Sequence, residues 1–268
     1  MAINALNAAA TGLRALSDRI DVIANNLANA ETQAFKRQRV NFEDLMYLQY
    51  KQPGTTDSAG DQSPAGISVG IGTKISNTAL DMTQGSLEST GINTDVAIQG
   101  NGFFKIKILP NVGDGTGYTR NGSFFQNKNG DLVVGIGDGY QLMPPINIPI
   151  GATDISIAQD GTVSYTPKGG NTSATAGQIL LNQFVNPQGL KLQGGSIYTE
   201  TSASGPPIPS VPGDNGSGQI IEGELETSNV DPVKELVTLI KTQRSFELNS
   251  QSIQTADQAL QTIANLKK

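Results

Sequence analysis

The chain has 268 residues, room for one large or two modest domains, and is 37% hydrophobic and 5% aromatic. It contains no cysteine and no histidine, which excludes disulfides, thiolate and imidazole metal sites, Ser-His-Asp triads and Cys-His dyads. A formal charge of −6 with no basic stripe argues against a nucleic-acid partner, and no apolar run approaches the ~18 residues of a membrane span, which argues against membrane insertion.

The first predicted element is a helix over Ile3–Ala28, interrupted only by Gly12. No basic n-region or apolar h-region precedes it, so no cleavable secretion signal is visible. Leu6, Leu13, Ile20 and Leu27 recur every seven residues, and Ile3, Ala10, Ser17 and Ala24 form a second row. Such a 3.5-residue stripe is the seam of a coiled coil. Asn25, Asn26 and Asn29 lie off the Leu row, with side chains that compete for backbone hydrogen bonds. They fit either a solvated, fraying helix end or amide contacts to further helices in an assembly.

Phe35 to Tyr47, with two Phe and mixed charges, reads as an anchored connector. Tyr47 to Pro64 is polar, with Pro53-Gly54 and Ala59-Gly60 as loop signals. A loop of that length is uncommon unless it has a job. It fits either an exposed loop or an arm that docks through Tyr47, Leu48 and Tyr50, with Pro53 limiting its freedom. Gly66 to Leu80 alternates apolar and polar residues, a strand pattern weakened at Gly70 and Gly72.

From Asp95 to about Tyr198 the chain reads as all-β. Strands are predicted over 95–98, 103–109, 118–126, 132–134, 140–143, 146–150, 155–158, 162–165 and 179–185. Asn121-Gly122 and Asp160-Gly161 are the tight-turn signals. Short strands with Gly-rich turns predict an antiparallel sandwich or barrel. Ser202 to Gly218, rich in Ser, Pro and Gly, reads as a surface loop or linker.

The last predicted element is a second helix to the end of the chain. Asp231 is its cap and Pro232 its first residue, with Lys234 where a capping box would have Glu. Leu239, Phe246, Ile253 and Leu260 recur every seven residues, with Thr242, Asn249, Ala256 and Ile263 as companions. A helix of about 36 residues is about 54 Å long and cannot fold back on itself, so its stripe needs a partner. The two terminal helices pair as a coiled-coil stem carrying an inserted β body, or pack as ordinary amphipathic helices on a globular domain.

Candidate chemistry is sparse, and no cofactor is implied. Asn127, Asn129 and Asp131 alternate oxygens as a calcium loop does, but no bidentate Glu follows at the right distance. Asn121, Asn171 and Asn215 head glycosylation sequons that read equally as turns. Asp154 with Asp160, or Glu222 with Glu224, can be offered as a glycosidase acid–base pair, but nothing marks them beyond being carboxylates. No credible active site emerges.

Four groups of motifs carry a resemblance: Ile23-Ala24-Asn25-Asn26-Leu27-Ala28-Asn29 with Phe35-Lys36-Arg37 and Phe42-Glu43-Asp44-Leu45; Asp95–Phe104 with Tyr118–Phe124; Leu225–Val230; and Gln243–Ser250 with Thr255–Gln261. In this order, over nearly the whole chain, they closely resemble the bacterial flagellar basal-body rod and hook family. The stretch from Tyr47 to Pro64 is most similar to that of its distal-rod members, and hook proteins lack it. Ala34 departs from the family, which usually has Gly there.

The resemblance implies a structural subunit, not an enzyme: part of a rigid helical homopolymer that transmits motor torque to the hook. A hook or proximal-rod subunit, or a secreted cell-wall glycan-acting enzyme, are the alternatives. It implies an α+β fold with residues 1–33 and 228–268 as a paired-helix core. Residues 34–94 and 199–227 become a connector, and 95–198 an outer all-β domain. Polymer contacts are expected at the helix rows and at Asn25, Asn26, Asn29 and Asn249. Tyr47, Leu48, Tyr50 and Pro53 form a rigidity segment. The implied partners are copies of the chain, other rod proteins, the hook or junction protein, and the periplasmic and outer-membrane rings. Export through the flagellar type III apparatus needs no cleaved signal.

Overall fold

The computed structural model describes residues 2–54, 65–110, 113–137, 139–170 and 172–266. The chain folds into two compact units. The first comprises the residues up to Ala28, Gln38–Ala79 and Asp231 onward; the second comprises Asn29–Arg37 and Leu80–Val230. The architecture is α+β: two helices, with strands that pair antiparallel.

In the first unit, α1 runs Ala2–Ala28 and α2 runs Pro232–Leu266. The start of α2 follows from its cap. Asp231 Oδ1 accepts hydrogen bonds from the Val233 and Lys234 amides at 3.1 and 3.2 Å, and Pro232 occupies the position that needs no donor.

The less exposed positions of α2 are Glu235, Thr238, Leu239, Thr242, Phe246, Asn249, Ser250, Ile253, Ala256 and Leu260, with Glu235 and Thr242 buried. Apart from Thr238 and Ser250 they step alternately by four and three, a 3.5-residue spacing. α1 behaves differently. Its most buried residues are Gly12, Ala15, Ile23 and Asn26, while Leu6, Leu13, Ile20 and Leu27 are half-buried and Ala10, Ser17 and Ala24 exposed. Small side chains let a neighbour come close: a Cβ on Gly12 would lie 2.5 Å from Asn249 Nδ2. Asn26 reaches Glu235. Gly12 and Asn26 stand fourteen residues apart, as do Glu235 and Asn249, so the helices pack antiparallel in one register.

Four strands belong to this unit: β1 (Gln38–Asp44), β2 (Tyr47–Lys51), β3 (Ile67–Gly70) and β4 (Thr73–Leu80). β1 pairs with β4 and β2 with β3. α1 is held against this ribbon by its other contacts. Arg19 stacks over the Phe42 ring at 5.7 Å, and the Thr73 amide donates to Thr11 Oγ1. Gly72, at φ +128°, sits where a Cβ would meet Thr11 Oγ1 at 2.1 Å, so no larger residue fits the crossing.

The second unit is a β body. Its largest sheet runs in spatial order 191–194, 197–199, 116–119, 103–107, 140–142, 132–134 and 124–126. Strand 181–183 also pairs with 103–107, and 208–210 with 181–183. Strands 153–157, 162–166 and 174–178 form a separate antiparallel sheet. The core lies among Ile98, Phe104, Phe124, Leu132, Leu142 and Ile179, with the Phe104 and Phe124 rings edge to face at 5.2 Å.

Three expectations are corrected. Residues 146–150 form no strand, because Pro144, Pro145 and Pro149 lack ladder donors; Ile146 and Ile148 are buried all the same. The expected linker 202–218 contains strand 208–210, with Pro209 on a sheet edge where it is tolerated. Asn121-Gly122 does not close a hairpin, since strand 116–119 pairs with 103–107 and 197–199, and 124–126 pairs with 132–134. It is a corner, and a Cβ on Gly122 would lie 1.8 Å from the Val96 carbonyl oxygen.

Candidate assembly surfaces

α2 is apolar on two sides. Opposite the row that faces α1, about half a turn around the helix, stand Val233, Leu236, Val237, Ile240 and Leu248. All are exposed, Val233 at 70% and Ile240 at 51%. Two opposed apolar stripes explain why α2 lacks the one-sided pattern of a surface helix. Only one stripe is covered by α1.

The β2–β3 hairpin is also uncovered. Tyr47 pairs with Gly70 and Leu48 with Val69, and Pro53 lies so close to Gly66 that a Cβ there would be 2.8 Å from Pro53 Cδ. Tyr47, Leu48, Tyr50, Ile67 and Val69 are exposed. Of the stretch read as loop or arm, the beginning is therefore a strand; its remainder, 55–64, lies outside the described residues. The Tyr47 hydroxyl donates to Asp44 Oδ2 at 2.9 Å. An isolated two-stranded hairpin is marginal in water, so exposed apolar residues on one imply a further surface to pack against.

The three asparagines differ in placement. Asn26 is 1% exposed. Its Oδ1 accepts from the Gln38 amide at 3.0 Å, and its Nδ2 donates to the Gln38 carbonyl at 2.9 Å and to Glu235 Oε2 at 3.5 Å. Its amide is engaged inside the first unit. Asn29, in the second unit, accepts from Thr32 Oγ1 at 3.1 Å. Asn25 is exposed.

Sequence reasoning missed the polar centre of the second unit. The Glu226 side chain is fully buried, and its carboxylate accepts from Lys36 Nζ, from Arg120 Nε at 2.7 Å and from the Gly85 amide at 2.9 Å. Lys36 also donates to the Thr83 carbonyl, and Arg120 to the carbonyls of Ile98, Gly100 and Gly102. Burial pulls the Lys36 ammonium below its ordinary pKa, and Arg120 adds to that; Glu226 opposes it. Burial pushes the Tyr118 hydroxyl up to about 12 and raises that of Tyr198, which also feels Glu226. The available signal was a Lys-Arg pair directly after Phe35 and a lone Arg at the end of a strand.

Asn229 is a second engaged amide. Its Oδ1 accepts from the Arg37 amide at 2.7 Å, and its Nδ2 donates to the carbonyls of Asp81 and Thr83 at 2.8 and 3.0 Å. Arg37 and Asp81 are joined again by the Asp81 amide donating to the Arg37 carbonyl and by an ion pair at 3.3 Å. Burial alone would raise Asp81; hydrogen bonds from Thr83 and the charges of Arg37 and Lys36 outweigh it and hold the carboxyl below its usual range.

Several of the candidate chemical residues are engaged in local or cross-strand hydrogen bonds. Asn127 Oδ1 accepts from the Asn129 and Asp131 amides, and Asp131 Oδ1 accepts from Asn147. Asp160 accepts from Thr162, and Glu222 from Ser156 Oγ. Asn121 accepts from the Ser123 amide; Asn171 lies outside the described residues. Among the described residues no group of acidic side chains could hold a metal ion, and no helix is long and apolar enough to cross a membrane.

Three family models match the chain: flagella basal body rod protein over residues 6–36, flagellar hook protein FlgE/F/G D1 domain over 97–165, and flagellar basal body rod FlgEFG protein C-terminal over 221–266. The flagellar basal-body rod protein FlgG of Buchnera aphidicola (Acyrthosiphon pisum strain APS) is 45% identical over 96% of each chain. Those of Borreliella burgdorferi and Caulobacter vibrioides are 42% and 41% identical over 99% or more of each. The chain belongs to the flagellar basal-body rod protein FlgG family. That family is structural and not enzymatic, so the glycan-acting alternative falls away. The FlgG-family segments hold the engaged groups: Asn26 and Lys36 in the first, Arg120 in the second, Glu226, Asn229 and the outer face of α2 in the third.

Proposed function

We propose that this chain is a distal-rod subunit that polymerises with copies of itself into a rigid helical tube and carries torque toward the hook. The observation that carries the reading is the uncovered stripe of α2. Val233, Leu236, Val237, Ile240 and Leu248 run along one side of a 35-residue helix whose other side is occupied by α1. A copy of the same chain is the occupant that repeats at every subunit, and contacts that do not close make a filament. The pairing of α1 and α2 is a coiled-coil stem whose α1 face centres on Gly12, Ala15, Ile23 and Asn26.

In this reading, residues 1–33 and 228–268 form the inner core and 95–198 the outer domain, joined by 34–94 and 199–227. The half-buried row Leu6, Leu13, Ile20 and Leu27, with exposed Asn25, faces neighbouring copies. The β2–β3 hairpin bridges copies through Tyr47, Leu48 and Tyr50, stiffened by Pro53, and blocks the sliding that curvature needs. Other rod proteins and the hook or junction protein cap the ends, and the periplasmic and outer-membrane rings surround the tube. Delivery is by flagellar type III export to the periplasm without signal cleavage.

The test is Val237→Asp with Ile240→Asp in the full chain. Both side chains are exposed in the subunit, so its melting temperature should stay within about 2 °C of wild type. Polymers seen by electron microscopy should vanish, because each subunit would bury two unpaired charges. Full-length polymers from this variant would overturn the reading.

A further inference from the structure

The chain passes between the two units four times, after Ala28, Arg37, Ala79 and Val230. Each unit has one asparagine amide that gathers the chain at those passages. In the first unit Asn26, two residues before the first passage, holds both backbone groups of Gln38, the first residue after the second passage. It also reaches Glu235, shortly after the fourth. In the second unit Asn229, next to last before the fourth passage, holds the amide of Arg37 and the carbonyls of Asp81 and Thr83, just after the third. The Asn229 amide in turn donates to the Phe35 carbonyl.

We infer that Asn26 and Asn229 are paired clasps, one on each unit, that tie the passing segments together so that they open and bear load as one. The amide is the group suited to this, since it offers a donor pair and an acceptor on one rigid plane. A carboxylate would keep the acceptor and lose the donors; an alkyl group would lose both. Around Asn229 the tie is closed by the Asp81-to-Arg37 backbone bond and their ion pair, so three segments share one network. Members of such a network are coupled, and loosening one loosens the others. The load-bearing half of the inference rests on the rod reading; the clasp itself does not.

The experiment is amide hydrogen exchange on the isolated full-length subunit. In the wild type, the amides of Arg37, Asp81 and Asn229 should share one protection factor. Asn229→Ala should lower all three together by at least about tenfold, the scale of one lost buried hydrogen bond, and leave Gln38 and the body strands unchanged. Asn26→Ala should do the converse, exposing Gln38 alone. Asn229→Asp, which keeps the acceptor, should restore Arg37 before the others. A response at Arg37 with none at Asp81 would overturn the clasp. So would collapse of the whole body in both Asn229 variants, which would make the residue a fold determinant. Rods assembled from Asn229→Ala subunits should show a persistence length at least halved. Lost protection with unchanged stiffness would overturn the load-bearing role and leave the rod reading intact. Failure of the wild-type chain to polymerise would overturn the rod reading and the load with it.

Discussion

Glu226→Gln removes the only carboxylate within ion-pair distance of two buried cations among the described residues. The fully buried cluster holds two positive charges and one negative in the wild type. Gln keeps the size and an acceptor for the Gly85 amide, but leaves Lys36 and Arg120 facing each other uncompensated. Breaking a buried pair in this way costs about 3–5 kcal/mol. The loss falls toward the lower end because Lys36, already pulled below its ordinary value by burial, can release its proton. Arg120 cannot. Lys36→Met does the opposite: it removes the surplus cation and leaves Arg120 and Glu226 as a neutral pair. Its cost is the hydrogen bonds to Thr83 and Glu226, about 1–2 kcal/mol. The two effects should also be coupled, so the double variant loses less than their sum. Urea unfolding of the full chain, followed by the near-ultraviolet signal of Tyr118 and Tyr198 in the body, reads all three values. If Lys36→Met costs as much as Glu226→Gln, or if the double variant is additive, the surplus-charge argument is wrong.

The same lysine gives a pH dependence. Below its lowered pKa, Lys36 is charged in both states and the burial penalty is complete. As pH rises toward the ordinary 10.5, only the folded state releases the proton, so stability rises. Wild type should therefore gain on Lys36→Met up to that pH, and a flat difference would refute it. Tyr118, at about 12, and Tyr198 act the other way above 10, where unfolded tyrosines ionise and the folded ones do not, and stability falls in both proteins. Ala34 is buried at φ 54°. Ala34→Gly should be nearly neutral in a melt, since relief of about 1–2 kcal/mol of strain is offset by a lost methyl and by chain entropy. Ala34→Val should cost more than about 2 kcal/mol; equal effects would refute the strain. Phe246→Asp, in the row facing α1, should abolish assembly with the body's melt unchanged, and normal rods would refute the seam. Deleting Tyr47–Pro64 should spare polymerisation but shorten the persistence length of isolated rods, and unchanged stiffness would refute the bridging role.

What was legible in the sequence follows from the kind of signal. Asp231-Pro232 is a local backbone signal, and the helix begins there. On α2 the row Leu239, Phe246, Ile253 and Leu260 is half-buried, and Thr242 beside it is buried. On α1 the row Leu6, Leu13, Ile20 and Leu27 is half-buried too, and the most covered positions lie off it. Those positions are Gly12 and Ala15, which serve by being small, Ile23, which is apolar but off the seven-residue row, and Asn26, which serves by its hydrogen bonds. The body's strands were readable where apolar residues alternate. They were not where prolines interrupt, as at 146–150, or where a three-residue edge strand sits in a Ser-Pro-Gly tract, as at 208–210. The buried charges were invisible for a different reason. Lys36, Arg120 and Glu226 meet across 190 positions of chain, and no local pattern announces such a meeting.

The central claim is that the bare stripe of α2 is covered by another copy of the chain. A cryo-electron-microscopy map of the assembled polymer tests it directly. Val233, Val237, Ile240 and Leu248 should be buried against helices of neighbouring subunits, with the α1-facing row still occupied by its own α1. A polymer in which those four side chains remain open to solvent, its contacts made through the β bodies alone, would contradict the account.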